Sequence, residues 1–220
     1  MNIANIRQTL TATIEQARMS SPIAASSINL LAVSKTQSVP VIEEAIAAGI
    51  TCFGENRVQE AQEKWVHIKK SHPNVQLHLI GQLQTNKVKK ALSLFDVIQT
   101  LDRVALAEEL ARLRDSGFGI QEKKFYIQVN TGKEPQKTGI LPENADEFIA
   151  FCRNLELPIV GLMCVPPTSQ PSAPHFALLR QIALRNNLSE LSMGMSSDFE
   201  NAVRMGSTCV RIGTVLFGER

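Results

Sequence analysis

The sequence predicts a closed (β/α)8 barrel, a TIM barrel, preceded by one extra helix. Three observations carry that expectation. Short apolar runs of strand length alternate with amphipathic stretches of helix length from residue 28 onward. Strands separated by helices pair in parallel, because each parallel crossover needs a long return connection. After the first helix about 190 residues remain for eight such units, roughly 24 each, near the lower limit for this architecture. An open doubly wound sheet is the alternative. It usually has fewer strands and a phosphate loop after the first, and here neither GxGxxG nor GxxxxGK with Ser or Thr follows any strand.

Each element has its own local reason. Ile3, Ile6, Leu10, Ile14 and Ala17 recur at helical spacing, so residues 2–20 read as an amphipathic helix, ended by Pro22. INLLAVS (28–34) is a short apolar run between polar residues, hence a buried strand. In VPVIEEAIAAG, Pro40 suits a helix start and Gly49 a helix end. ITCFG (50–54) is a strand and NRVQEAQEKWVHIKKS a helix. The alternation continues with strands at 75–81, 96–100, 124–131, 157–165, 189–193 and 208–212. Helices fall between them at 86–94, 105–117, 143–154, 175–187 and 198–206, and the residues after the last strand read as a tail. QPSAP (170–174) is a short loop rather than a linker, so residues 1–220 are expected to form one domain.

Composition narrows the function classes. Lys and Arg total 23 against 21 Asp and Glu, and aromatics make up 5%. A dedicated nucleic-acid binder would show a basic face and stacking residues, so no nucleic-acid partner is expected. Cys52, Cys152, Cys164 and Cys209 lie in apolar stretches without CxxC or zinc spacing, and read as buried thiols in a reducing compartment. The first 20 residues lack a signal-peptide pattern, and no apolar run approaches a membrane span. The expectation is a soluble cytoplasmic protein with no membrane partner.

In a parallel barrel the chemistry sits at the carboxyl ends of the strands. Those ends read Ser34-Lys35-Thr36, Gly54-Glu55-Asn56-Arg57, Gly81-Gln82, Asn130-Thr131-Gly132, Met163-Cys164, Met195-Ser196-Ser197 and Arg211-Ile212-Gly213-Thr214. Lys35 is either a lysine snorkelling to solvent or an amine whose pKa partial desolvation lowers, able to form a Schiff base with an aldehyde. Ser197 and Glu200 fit an S-x-x-E capping box for a helix starting near Asp198. The first-turn N–H groups, the Ser196 hydroxyl, and the backbone of Gly213 and Thr214 together resemble the phosphate site that barrels often carry after strands seven and eight. Arg211, inside an apolar strand, needs a partner. That is either a carboxylate such as Glu55 or Glu219, or a ligand ring. Lysine for an aldehyde, arginine for a ring nitrogen and an N–H nest for a phosphate together describe pyridoxal 5′-phosphate.

The stretches LLAVSKTQ (30–37), FGENRVQEAQEKW (53–65), HLIGQLQTNKVK (78–89), IQVNTGKEPQKTGI (127–140), GLMCVPP (161–167) and LSMGMSSDFENAVRMGSTCVRIGTVLFGER (191–220) resemble the pyridoxal-phosphate homeostasis proteins. These are single-domain relatives of the barrel half of bacterial alanine racemase. The resemblance implies a fold-type III pyridoxal-phosphate barrel. It places the Schiff-base lysine at Lys35, the phosphate serine at Ser196, backbone phosphate donors at Gly213 and Thr214, the ring-nitrogen arginine at Arg211, and Asn56 near the ring. Ser197 sits where the family pattern varies, and Gln37 where the family often has a basic residue. The implied role is a non-catalytic carrier or regulator in vitamin B6 and amino-acid homeostasis, with apo-enzymes as acceptors.

The alternatives are a weak amino-acid racemase and a cofactor-free Schiff-base barrel of the aldolase type. Arginine beside the pyridine nitrogen makes the ring a poor electron sink. Racemase relatives compensate with two acid–base groups, one a tyrosine from another domain of a dimer partner. The single tyrosine here, Tyr126, starts strand five and is expected at the wrong end of the barrel. Lacking that second domain, the chain is expected to be a monomer.

Overall fold

The structure is a computed structural model that describes residues 2–218. Glu219, one of the two carboxylates considered for Arg211, lies outside the described residues. Helix α1 (Ile3–Met19) starts where the Asn2 side chain accepts the Asn5 N–H, and it buries Ile3, Leu10, Ile14 and Ala17 along one stripe. The strands follow as β1 (Asn29–Val33), β2 (Cys52–Glu55), β3 (Gln76–Leu79), β4 (Val97–Leu101), β5 (Lys124–Gln128), β6 (Ile159–Met163), β7 (Glu190–Met195) and β8 (Cys209–Ile212). Each pairs in parallel with the next, and β1 pairs with β8 through Asn29↔Cys209 to Ala32↔Ile212, which closes the barrel. The architecture is the (β/α)8 barrel expected, with α1 as the extra element.

The crossovers are α2 (Val39–Ala47), α3 (Val58–Ser71), α4 (Val88–Leu94), α5 (Val104–Asp115), α6 (Ala145–Asn154), α7 (Ser172–Arg185) and α8 (Phe199–Arg204). Their buried stripes cover the outer face of the barrel. Trp65 of α3 is fully buried and packs on Phe53 of β2 at a ring separation of 5.0 Å. Helix α1 lies across α8 and α2 and across a short last helix, α9 (Thr214–Phe217).

Three local expectations need correction. The strand within 124–131 ends at Gln128: Val129 N–H still donates to Met163 O of β6 at 2.8 Å, but Val129 bridges to Ile140 in the loop that follows and Asn130 N–H donates to Ile140 O at 2.8 Å. Helix α7 starts three residues earlier than its apolar pattern indicates. Pro174 sits in its first turn, where the missing N–H has no intrahelical acceptor to lose. The residues after β8 are a helical turn rather than a tail, since Gly213 O accepts from both Leu216 and Phe217 N–H.

Candidate functional site

At the carboxyl ends of the strands lies a cavity of about 740 Å³. Its wall is Val33, Lys35, Asn56, Ile80, Val165, Met195, Ser196, Ser197, Arg211, Gly213 and Thr214. Lys35, Asn56, Ser196, Arg211, Gly213 and Thr214, the six residues singled out from the sequence, thus meet in one place. No carboxylate is among the described lining residues. The cavity offers two cations, several hydroxyl and amide groups, and apolar walls.

Lys35 stands two residues beyond β1, in a loop braced on both sides. The Ser34 hydroxyl donates to Glu55 Oε1 at 2.7 Å, and Ser34 O accepts from Lys64 Nζ at 3.0 Å. Thr36, held in the left-handed region at φ 65°, donates its N–H to Glu60 Oε1 at 2.5 Å. Lys64 joins the two braces, lying 2.8 Å from Glu55 and 2.9 Å from Glu60. Trp65 Nε1 adds a donor to Glu55 at 3.0 Å. Burial pushes the Glu60 carboxyl up, but hydrogen bonds from Lys64 and Thr36 N–H outweigh it and hold the group below its usual range. Sequence reasoning missed this cluster. Its one legible signal is the Glu60–Lys64 pair at i,i+4 spacing on α3.

Arg211 is buried, and its partners among the described residues are backbone carbonyls and a hydroxyl rather than Glu55, one of the two carboxylates considered. Nη1 donates to Ser192 O at 2.7 Å and Ser192 Oγ at 2.8 Å, and Nη2 donates to Cys164 O at 2.7 Å. Glu55 is taken by Ser34, Lys64 and Trp65, on the other side of β1. Burial pulls the Arg211 pKa down from its ordinary value, and guanidinium nonetheless stays charged in proteins. Burial also pushes the neighbouring Cys164 thiol up to about 12, so it is an inert packing group.

Asn56 reaches the mouth because Gly81 lets the end of β3 press against it. A Cβ on Gly81 would sit 2.2 Å from Asn56 O. The capping box read from Ser197 and Glu200 does not form. Helix α8 starts one residue later, so Asp198 holds the cap position and its Oδ1 accepts Met195 N–H at 2.7 Å. Glu200 pairs with Arg204 at 3.0 Å, and Ser197 lines the cavity instead. The apolar wall of Val33, Ile80, Val165 and Met195 was not singled out from sequence. All four stand at or within two residues of a strand's carboxyl end, which is the signal that finds them. Tyr126 lies at the opposite end of the barrel, where its hydroxyl donates to Glu190 at the start of β7.

Known proteins share this architecture. A family model described as "Alanine racemase, N-terminal domain" matches residues 8–220. The "Pyridoxal phosphate homeostasis protein" of Vibrio cholerae is 41% identical, over 96% of this chain and 93% of the relative. The protein of the same name from Aquifex aeolicus is 42% identical, over 87% of this chain and 86% of the relative. Among solved structures, PipY of Synechococcus elongatus with PLP bound superposes with a TM-score of 0.82 at 34% identity, over 98% of this chain and all of PipY. With the barrel, the cavity and these relatives in place, the chain belongs to the pyridoxal phosphate homeostasis protein family, built on the alanine racemase N-terminal barrel.

Proposed function

We propose that the cavity binds pyridoxal 5′-phosphate and that the protein is a non-catalytic carrier or regulator of this cofactor in vitamin B6 and amino-acid homeostasis. The observation that carries the reading is the single cavity bringing Lys35, Arg211, Ser196, Gly213 and Thr214 together. The name of the relatives and the PLP held by PipY support it.

The residues suit this ligand. Gly213 has a φ of −116°, and a Cβ there would meet its nearest neighbour, Val33 Cβ, at 3.4 Å. Neither backbone conformation nor internal packing therefore demands glycine. A ligand that must approach the backbone closely does. Two cations with no carboxylate among the described lining residues suit a phosphate ester, and the apolar wall suits a flat ring. When bound, the cofactor supplies an aldehyde open to an amine and a pyridine ring that withdraws electrons. Lys35 provides the amine. Ser196 and the backbone of Gly213 and Thr214 hold the phosphate, and Asn56 lies beside the ring. Arg211, which can only donate, faces a ring nitrogen that must then accept, which keeps a proton off that nitrogen.

The same wall argues against racemisation. Among its described residues Lys35 is the sole side chain suited to general acid–base work, and Tyr126 is committed to Glu190 at the far end. General acid–base groups contribute about 10²–10⁴-fold each, so one alone leaves little turnover. The protein acts as one domain, a monomer in the cytoplasm, handing the cofactor to apo-enzymes. Its free cysteines suit a reducing compartment, and no helix of the described residues is long and apolar enough to cross a membrane.

The test is borohydride reduction of the protein mixed with pyridoxal 5′-phosphate, followed by intact mass and peptide mapping. A single adduct on the peptide containing Lys35 is expected. An adduct confined to Lys87 or Lys137 would overturn the assignment. Exchange of the alanine α-hydrogen with solvent deuterium at ordinary enzymatic rates would overturn the non-catalytic role.

A further inference from the structure

A polar chain runs from Arg211 into the interior of the barrel, beyond the cavity wall. Arg211 Nη1 donates to Ser192 Oγ at 2.8 Å, Ser192 Oγ donates to Gln99 Oε1 at 2.6 Å, and Gln99 Nε2 lies 2.9 Å from His78 Nδ1. The four residues come from β8, β7, β4 and β3, and all are buried. Interiors of such barrels are usually filled by layers of branched apolar side chains. A polar chain in their place is costly to bury unless its members satisfy one another.

The direction of every link follows from chemistry. A guanidinium only donates, so Ser192 Oγ accepts from Arg211 and gives its own hydrogen to Gln99 Oε1. That turns the amide nitrogen of Gln99 toward His78, and an amide nitrogen also only donates. His78 Nδ1 must accept, which leaves a neutral ring with its hydrogen on Nε2. That Nε2 has no hydrogen-bond partner among the described residues. Burial, the largest cause, keeps the ring neutral; Lys124 and Lys69 act in the same direction, and Asp96 opposes them without prevailing.

We propose that Gln99 is a positioning residue for Arg211: through Ser192 it holds the guanidinium in one orientation at the inner wall of the cavity. The two carbonyls, Ser192 O and Cys164 O, hold the Nη atoms. The third contact is to the Ser192 hydroxyl, whose orientation Gln99 fixes by taking its hydrogen. Without Gln99 Oε1 the Ser192 hydroxyl is free to rotate, and its lone pairs are no longer held toward Arg211. The consequence for a bound cofactor rests on the reading of the cavity as a pyridoxal 5′-phosphate site.

The experiment compares the full-length wild type with Gln99→Leu, Gln99→Glu and Ser192→Ala. In the ligand-free arm, nitrogen-15 NMR follows the Arg211 guanidinium and the His78 ring. Gln99→Leu and Ser192→Ala should speed rotation of the guanidinium about its Cζ–Nη bonds. Gln99→Glu keeps an acceptor for Ser192 and should leave that rotation slow, while its second oxygen draws the His78 hydrogen to Nδ1. In the second arm, pyridoxal 5′-phosphate is titrated in. Gln99→Leu should shift the visible band of the bound cofactor and weaken binding about tenfold, and Gln99→Glu should restore most of both. Slow guanidinium rotation in folded Gln99→Leu and Ser192→Ala would overturn the proposal, as would unchanged absorption and affinity in both. Ser192→Ala decides the matter if Gln99→Leu fails to fold. A wild type that takes up no pyridoxal 5′-phosphate would overturn the reading of the cavity, and the ligand-free arm would still decide the positioning role.

Discussion

Gly213 and Lys35 divide the proposed binding between a covalent and a non-covalent anchor. The phosphate contacts assigned to Ser196, Gly213 and Thr214 do not involve the Lys35 amine. Lys35→Ala should therefore abolish covalent attachment and keep weakened, reversible binding of pyridoxal 5′-phosphate, measured by equilibrium dialysis. Pyridoxal without its phosphate should bind the native protein far more weakly, since each charge-assisted hydrogen bond is worth roughly 1.5–3 kcal/mol. Equal affinities for the two aldehydes would mean that the phosphate contacts are misassigned. Gly213→Leu tests the other anchor. The Cβ has room against Val33, so the stability cost should stay near about 1 kcal/mol or less in urea unfolding, while binding is lost to the blocked approach. At this scale the strand-end residues were legible because a parallel barrel puts its chemistry at one end. The partners of Arg211 were not. A sequence shows a buried arginine's need, and which carbonyls meet it depends on how β6 and β7 are registered against β8.

Helix α3 does more than connect two strands. Its Glu60 and Lys64, with Glu55 at the end of β2, pin the backbone on both sides of Lys35. The Lys64 side chain is 11% exposed and that of Glu55 fully buried, so solvent screens this pair little. Lys64→Met leaves Glu55 buried with only the Ser34 and Trp65 donors. The expected loss is about 3–5 kcal/mol in urea unfolding, because removing one partner strands a buried charge. Lys64→Met combined with Glu55→Gln should recover much of that stability. Reduction trapping at Lys35 should fall in both variants, since the Lys64 bond to Ser34 O is lost in each. Helix α8 carries the opposite lesson. Its start was legible to within a residue, and that one residue decides whether Ser197 caps the helix or faces the cavity. Propensity does not resolve a cap position when Ser196, Ser197 and Asp198 are all good cap residues.

For the whole molecule, the buried His78 couples the barrel interior to acid stability. Burial of the ring, the largest cause, lowers its pKa from 6.5 to about 4. Between those values the unfolded chain binds the proton and the folded chain does not, so stability rises with pH across the window. It is lost as pH falls from about 6.5 to about 4, by roughly 3 kcal/mol if His78 alone is counted. Urea unfolding at steps across that range measures the slope. His78→Leu should lower stability at neutral pH, because Gln99 loses its acceptor, and should flatten the acid slope. An unchanged slope would show that His78 titrates normally in the folded barrel. The exposed large apolar side chains, among them Met19, Val66, Val104 and Leu184, lie on different helices or at their ends. Solution scattering should accordingly report the mass of one 24.2 kDa chain, independent of concentration.

The sequence by itself determined the order and type of the elements, the parallel pairing that follows from alternation, and the residues at the mouth of the barrel. These follow from local periodicity, strand length and the need of a parallel strand for a return crossover. Closure of β1 onto β8 was the natural consequence of eight units in this length. Tertiary structure alone decided the rest. The inward-facing His78, Gln99 and Ser192 come from three strands separated by long stretches of sequence, and no local pattern couples them. The brace around Lys35 joins α3 to the loop after β1, and the fold-back of residues 129–140 ends β5 early. In each case the deciding contact lies between segments that only barrel closure and strand register bring together, and a buried polar group takes whichever partner that geometry places within hydrogen-bond reach.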